Sequence, residues 1–303
     1  MSIQSVSPPL PSTEDSSRQP PGSSAFSQPA NETGGRDARA RGYATSHSNR
    51  FRQSRALHIL APVALGIVLL IVWQFLVQSG LVSTFLLPAP ADVLGSLWVS
   101  FTQDALLSYT QVTLIESLAG CALGAAVALP LGYIIMRSRL VASAVQPYLA
   151  ASQALPAVAL APLLALWLGY GLPPVIALCA LIVFFPMVIT TVLGLRLLDQ
   201  DVLDAARVEG ANRWALLRAI EVPLALPSIL AGIRTSLTLS ITGAVVGEFV
   251  VGGAGLGELL SVQRGNADSA GVFSTLLMLA LLAAALYGSA RLFERRFSYM
   301  EGS

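Results

Sequence analysis

The ionisable side chains of the hydrophobic part of this chain are concentrated at residues 198–223, LDQDVLDAARVEGANRWALLRAIEVP, between two long apolar runs. Carboxylates, a guanidinium group and small side chains follow one another there: Asp204, Ala205, Ala206, Arg207 and Glu209. Such charged groups form ion pairs and charge-assisted hydrogen bonds, and small neighbours allow another surface to come close. This chemistry is that of a contact surface, and we call residues 198–223 the polar segment.

Residues that could perform catalysis do not form a recognisable pattern. The sequence has no GxxxxGK[ST] phosphate loop, every basic residue is an arginine, and the two histidines stand apart from any ligand grouping. Cys121 and Cys179 lie in apolar runs, where a buried free thiol is the usual state. We therefore expect no catalytic site, no metal site and no cofactor bound by this chain.

Composition indicates an integral membrane protein. Hydrophobic residues make up 54% of the chain and charged residues 12%, and the mean hydropathy is +0.68. The formal net charge of +1 gives no indication of a nucleic-acid partner. A lipid bilayer is thus the first partner that the sequence predicts.

Residues 1–55 differ from the rest of the chain because proline, serine and glycine replace the aliphatic residues. Such a segment cannot bury enough apolar surface to offset its ordering entropy, so we expect a disordered tail. Arginines near its end precede the first apolar run, which we expect to be an uncleaved membrane anchor. Residues 56–300 then form the transmembrane domain, including the polar segment.

A bilayer-spanning helix needs roughly 20 apolar residues, and six stretches meet this requirement. Prolines at 147, 156 and 162 interrupt the third stretch, and Pro186 interrupts the fourth, as in helices that line a transport path. We therefore predict an all-α polytopic membrane protein with six transmembrane helices. They lie near residues 56–78, 109–136, 143–168, 174–197, 223–249 and 271–292.

The arginines predict the orientation, because positive residues in short loops remain on the cytoplasmic side. Both termini and the polar segment are then cytoplasmic, and Arg264 is external. Arg234, within the fifth span, either snorkels back or faces a watery vestibule. The predicted cytoplasmic arginines are Arg137, Arg139, Arg196, Arg207, Arg213, Arg218, Arg291, Arg295 and Arg296.

The polar segment contains two successive helix signals. Asp199 and Asp201 favour a helix N-terminus, Gly210 suits a left-handed C-cap, and Asn212 can cap a second helix. The apolar residues of that second helix also fit an amphipathic helix lying on the membrane: Trp214, Leu217 and Ile220. The residues alone leave the two interpretations open.

A family resemblance favours the contact surface. The polar segment resembles the EAA loop of bacterial ABC importer permeases, E-A-A-x3-G-x9-I-x-L-P. It contains Asp204-Ala205-Ala206, then Gly210 after three residues, Ile220 after nine more, and Val222-Pro223 after one more. Two positions depart from it, Asp for Glu and Val for Leu, and the spacing is kept. In that family the loop is the coupling helix that docks on the cytoplasmic ATPase, so the resemblance implies that role for Asp204, Ala205, Ala206, Arg207, Glu209, Gly210, Ile220 and Pro223.

Two further motifs, FLLPAPADVL at 85–94 and GEFVVGGAGLGELL at 247–260, resemble the nitrate, sulfonate and taurine permease group. Residues 147–171 and 180–192 are most similar to its branch for vitamin-related heterocycles, riboflavin or the thiamine pyrimidine precursor. The resemblance implies a type I importer permease fold in the bacterial inner membrane. It also implies a second permease copy, ATPase subunits that bind ATP and Mg, and an extracytoplasmic solute-binding protein. A sulfonate, taurine or nitrate importer is the alternative.

Polar residues within the spans are candidates for the translocation pathway. Glu116 stands where sulfonate and nitrate permeases often carry a basic residue, and a carboxylate there would repel anions; alternatively it pairs with another helix or snorkels outward. Ser236 and Ser240 either line a pore or support helix packing. Gln153 has the same two alternatives, to face the pathway or to support helix packing. Glu248 is a candidate for an outer gate or for a carboxylate at the membrane interface.

Two rival classes make different demands on the sequence. A secondary transporter needs paired ionisable residues deep in the membrane and an inverted repeat, and neither is clear here. A membrane-anchored scaffold does not require the proline-broken spans or the spacing of the polar segment.

Overall fold

The computed structural model describes residues 47–102, 105–154 and 156–300. Residues 1–65 and 66–303 form separate units, and the first is described only at residues 47–65, which are helical. No β-strand occurs in the described ranges. The elements are α1 (His47–Gln78), α2 (Pro90–Thr102), α3 (Ala105–Arg137), α4 (Arg139–Ala154), a 3₁₀ turn (Ala157–Leu160), α5 (Ala161–Leu168), α6 (Leu172–Arg196), α7 (Gln200–Val208), α8 (Arg213–Leu216), a π-helical turn (Leu217–Glu221), α9 (Val222–Val251), α10 (Leu256–Gly265) and α11 (Ser269–Met300).

The predicted disordered tail lies outside the described residues as far as residue 46. The chain is helical from His47, so α1 begins before the predicted boundary at residue 56. Residues 47–55 contain neither proline nor glycine. A helix that forms in the adjoining apolar run can therefore extend through them at little cost.

Five of the six predicted apolar stretches each fall on one helix and the third is divided between α4 and α5, but the described residues contain four helices, or five with that bent pair, that could cross a membrane, against the six predicted. Four helical segments of the described chain are long and apolar enough to cross a membrane, and the apolar end of α1 covers Val63–Gln78. The remaining stretch consists of Arg139–Ser152 and Ala157–Leu168, which meet at 86°. The four long segments are Leu106–Arg137, Leu172–Arg196, Arg213–Val251 and Ser269–Arg296.

The bent pair α4–α5 completes one crossing of the membrane. Arg137 at the end of α3 and Arg196 at the end of α6 line the same small cavity, so the two helices end on one side. Helix α6 has 25 residues and, at about 1.5 Å per residue, is long enough to span the bilayer alone. The segment between α3 and α6 must therefore carry the chain to the opposite side.

Prolines interrupt the helices at fewer positions than the sequence predicts. The third span is interrupted at Pro156, which precedes the 3₁₀ turn, and Pro162 occupies the first turn of α5, where a missing N–H costs little. The prediction that Pro147 and Pro186 break their helices is wrong, because both lie inside continuous helices. A proline removes one helical hydrogen bond, and packing against other helices can tolerate that loss.

Close packing of α3 against α6 forms the centre of the described bundle. Gly120, Gly124, Ala128 and Gly132 recur every four residues and so share one face of α3. A Cβ atom at Gly124 would lie 2.4 Å from a methyl carbon of Val183. Side chains of ordinary size would separate the two helices, as at other small-residue interfaces in membranes.

Ser240 joins α9 to this pair. Its hydroxyl donates a hydrogen bond of 2.6 Å to the backbone oxygen of Ser117 in α3, and the Cys179 thiol of α6 donates to the backbone oxygen of Ser240 over 3.3 Å. Cys179 is a buried free thiol, as predicted, and so is Cys121. Helices α3, α6 and α9 thus form a three-helix core beside which the other elements pack.

Candidate functional site

The polar segment folds as the hairpin that its caps predict. The Asp199 carboxylate accepts a hydrogen bond from the backbone N–H of Asp201 at the start of α7. The Asn212 side chain accepts one from the N–H of Ala215 at the start of α8, over 2.8 Å. Two short helices therefore stand back to back, each with a side-chain cap at its N-terminus.

Gly210 makes the turn between the two helices. Its φ is +92°, its N–H donates to the carbonyl of Arg207, and the next N–H donates to the carbonyl of Ala206. These two hydrogen bonds define a Schellman C-cap. A Cβ atom at this position would meet no atom within 4 Å, so the backbone angle, and not space, calls for glycine here.

The two faces of α7 have different environments. Leu203 is buried and packs in a cluster with Leu195, Leu198, Leu216 and Ala225, which ties the hairpin to the ends of α6 and α9. The opposite face is open to solvent. This packing attaches the hairpin to both long helices.

Two large apolar side chains of the polar segment are exposed. Val208 is 89% exposed and Trp214 is 68% exposed, although both belong to the segment with the densest charge. Arg207 hydrogen-bonds Asp204 within α7, so this ion pair lies beside them. Exposed apolar residues surrounded by charged ones are typical of a protein contact surface.

Behind the hairpin, Glu221 is fully buried in the π-helical turn. One of its carboxylate oxygens lies 3.6 Å from the Arg137 guanidinium at the end of α3. The pair joins α3 to the start of α9. The sequence gives no signal for it, because the two residues are far apart in the chain.

A cavity of about 600 Å³ lies where the bent pair α4–α5 packs beside α6. Apart from Ser152 and Thr190, its lining is apolar, and no charged side chain of the described residues lines it. Phe185 provides an aromatic ring. The lining residues are Ser152, Ala157, Leu160, Leu181, Ile182, Phe185, Pro186, Ile189 and Thr190.

Four of the five predicted pathway residues lie outside this cavity. Glu116, Ser236, Ser240 and Glu248 are all fully buried between helices, and none of them lines this cavity. Gln153 belongs to α4, but its side chain lies outside the described residues. The sequence did not predict this cavity, because its walls are ordinary apolar residues from separate elements. The one feature of the sequence that points to it is the helix interruption at Pro156.

Glu248 fixes the glycine-rich loop after α9. One carboxylate oxygen accepts a hydrogen bond of 2.7 Å from the Thr113 hydroxyl of α3, and the other accepts one from the N–H of Gly257. The Thr113 oxygen also accepts from the N–H of Leu256 over 2.8 Å. The loop is therefore pinned to α3 through a residue, Thr113, that the sequence pattern does not single out.

Glu116 lies beside Glu248 in the interior, and apart from the contact with that carboxyl group its oxygens have no hydrogen-bond partner among the described residues. Its complete burial does not fit the alternative that it snorkels outward. Ser236 is likewise buried, and its hydroxyl has no partner in the described part of the chain. Both side chains remain pathway predictions.

Arg234 has a partner within the chain. Its guanidinium donates a hydrogen bond of 2.6 Å to the Glu294 carboxylate of α11 and lies 5.2 Å from the ring centroid of Tyr287. A cation over a ring face gains further electrostatic stabilisation. This ion pair joins α9 to α11 and explains how an arginine is accommodated within the fifth span.

Comparison with known proteins identifies related chains. Residues 120–299 match the family described as binding-protein-dependent transport system inner membrane component. The chain is 44% identical over 242 residues to a riboflavin transport system permease protein of Chloroflexus aurantiacus, covering 80% of this chain and 90% of that one. It is 29% identical over 228 residues to a formylaminopyrimidine transport permease protein of Halalkalibacterium halodurans, covering 75% and 90%.

A similar solved structure is the inward-facing conformation of a methionine ABC transporter. The TM-score is 0.58 at 18% sequence identity, and the match covers 64% of this chain and 96% of the other. At this identity the likeness establishes a shared fold.

Proposed function

The chain belongs to the family of binding-protein-dependent transport system inner membrane components, and we propose that it is the permease of a riboflavin importer. It is a multi-pass subunit of the inner membrane with the type I importer permease fold. The subunit is not catalytic, since ATP is hydrolysed by a separate ATPase subunit, and a solute-binding protein is its other partner.

The observation that carries the solute proposal is the 44% identity to a riboflavin permease over four-fifths of the chain. The apolar cavity beside α6 supports it, because a flat heteroaromatic solute can contact the Phe185 ring and needs no counter-charge. A sulfonate, taurine or nitrate permease would need a cationic or strongly hydrogen-bonding group at its solute site. The thiamine pyrimidine precursor remains the second heterocycle to test.

The polar segment is the surface that we assign to the ATPase subunit. Val208 and Trp214 supply exposed apolar contacts, and the Gly210 turn sets the angle between α7 and α8. Residues Asp204, Ala205, Ala206, Arg207, Glu209, Gly210, Ile220 and Pro223 form or position this surface. The attachment through Leu203 passes a displacement of the hairpin to α6 and α9.

In the proposed mechanism, two permease copies each dock an ATPase subunit on the cytoplasmic side. Closure of the ATPase pair on ATP draws the two hairpins together and turns the solute cavity outward, as a rigid-body switch between two states. The binding protein then delivers the solute at the outer mouth. Only differential contacts in the two states can drive such a switch.

Uptake of labelled riboflavin tests the proposal. A riboflavin auxotroph without its own importer would carry this chain, its ATPase and its binding protein, and the control would lack only this chain. We expect ATP-dependent accumulation that unlabelled riboflavin suppresses and that excess taurine or hydroxymethylpyrimidine does not. Accumulation no higher than in the control would refute the riboflavin assignment.

Two variants refine this experiment. Phe185→Ala removes the ring from the cavity and is expected to lower uptake several-fold, whereas Phe185→Tyr keeps the ring and retains most uptake. Replacing the ATPase with a hydrolysis-deficient form should abolish accumulation. Uptake that persisted with that form would instead support a secondary transporter.

A further inference from the structure

A second cavity, of about 250 Å³, lies between the hairpin of the polar segment and the ends of α3 and α6. Unlike the cavity beside α6, it is lined mostly by long polar side chains. At ~30 Å³ per water molecule it has room for several waters or one phosphate group. Its lining residues are Met136, Arg137, Arg196, Gln200, Leu203 and Arg207.

Three guanidinium groups from three elements converge on this cavity, and their charge is not fully balanced. Arg207 is paired with Asp204 and Arg137 with Glu221. Arg196 has no ion pair or hydrogen bond among the described residues. Three positive and two negative groups leave one positive charge in excess, which a single phosphate diester, with its one negative charge, would balance.

The cavity lies on the face of α7 that carries the buried Leu203, and it shares Arg207 with the residues that we assign to the ATPase-contacting surface. Gln200, Leu203 and Arg207 are spaced by three and four residues and so share one face of α7. Because Leu203 is buried, that face turns toward the ends of α3 and α6. The exposed Val208 does not line the cavity.

The protein surface next to the cavity is apolar on the membrane side. Ile134 and Leu193 are exposed, and each lies three residues before an arginine of the cavity, one turn deeper into the bilayer on the same face. An anionic headgroup in the cavity would therefore have acyl chains beside these two residues. Basic pockets between transmembrane helices at the cytoplasmic surface suit such headgroups.

We propose that this cavity binds the phosphate group of an anionic phospholipid, held by Arg137, Arg196 and Arg207. Guanidinium groups bind phosphate oxygens through paired, charge-assisted hydrogen bonds. The lipid would rest between the hairpin and the transmembrane helices. It would thereby join the moving surface to the membrane.

Native mass spectrometry of the full-length chain in detergent tests this site without requiring the ATPase. The probes are phosphatidylglycerol, phosphatidylcholine and inorganic phosphate. We expect retention of one phosphatidylglycerol per chain in preference to phosphatidylcholine. Removing one cation, as in Arg196→Gln, should weaken phosphatidylglycerol binding about fivefold, at ~1 kcal/mol per arginine near an anionic surface.

Matched variants separate the site from general surface charge. Arg139→Gln removes an exposed arginine that does not line the cavity and should leave binding unchanged, while Arg196→Lys keeps the charge and should restore most of it. Arg207→Gln should weaken binding as Arg196→Gln does, which provides a second position if one variant folds poorly. Equal losses in Arg196→Gln and Arg139→Gln, or equal binding of phosphatidylcholine, would overturn the proposal. Displacement of the lipid by equimolar inorganic phosphate would assign the site to soluble phosphate and overturn the lipid assignment.

Discussion

Replacement of Gly210 tests the contribution of the backbone geometry of the hairpin separately from that of its side-chain packing. The residue has φ +92°, yet a Cβ atom would meet nothing within 4 Å. The Cβ atom of a new side chain therefore introduces no clash with another residue. We expect the main effect to come through the left-handed backbone angle and the two C-cap hydrogen bonds that depend on it.

The expected cost follows from that angle. An ordinary residue pays about 1–2 kcal/mol in the left-handed region, a β-branched residue pays more, and asparagine pays less. A difference of 1–2 kcal/mol changes a two-state ratio by a factor of about 5–30. If the hairpin must keep this turn to engage the ATPase, transport should fall in the order Gly, Asn, Ala, Val, with Val at least about fivefold lower.

ATP-dependent uptake and recovery of the ATPase with the purified permease are the two measurements. Gly265→Val is the matched control, because that glycine also has open space around it but no positive φ, and it should retain uptake. Full uptake by Gly210→Val would refute the reasoning, as would an Asn variant weaker than Val. A loss of uptake with normal ATPase recovery would place the defect after docking.

Two further predictions concern the helix interfaces. Gly124→Leu should separate α3 from α6 and destabilise the purified chain by about 1–3 kcal/mol. The loss would be measured as a lower midpoint of thermal unfolding. The control is Gly95→Leu, where a Cβ atom meets nothing within 4 Å, and it should leave the midpoint unchanged. Glu294→Gln should leave the Arg234 guanidinium without its counter-charge and also lower the unfolding midpoint. The double variant that exchanges the two residues, Arg234→Glu with Glu294→Arg, should recover roughly half of the loss. No recovery would count against a stabilising contribution from this ion pair.

The parts of the fold that follow from local chemistry were predictable from the sequence. Asp199, Gly210 and Asn212 mark the ends of α7 and α8 because a cap depends on residues within one turn of it. The apolar stretches gave the positions of the long helices for the same reason. The start of α1 was missed, since polar composition predicts disorder even where nothing stops a helix from extending.

The interior contacts could not be predicted, because they depend on pairs distant in the chain. Arg234 and Glu294 are 60 residues apart, and Thr113 and Glu248 are 135 apart. A buried serine or glutamate in an apolar helix can line a pore or bond to a neighbouring helix, and only the neighbour decides. The cavity beside α6 was missed for a related reason, since its walls are ordinary apolar side chains from separate elements.

Helix α6 is shared by the two ends of the mechanism. Leu195 belongs to the cluster that holds the hairpin, and Phe185 belongs to the cavity wall. The two residues are ten positions apart, which is about 15 Å at 1.5 Å per residue. The helix is clamped against α3 along its length by the small residues that face it, and Pro186 leaves one of its backbone hydrogen bonds unmade beside the cavity. In the proposed mechanism, we expect this helix to bend most easily at the cavity wall, so that a small tilt applied at its hairpin end changes the width of the cavity.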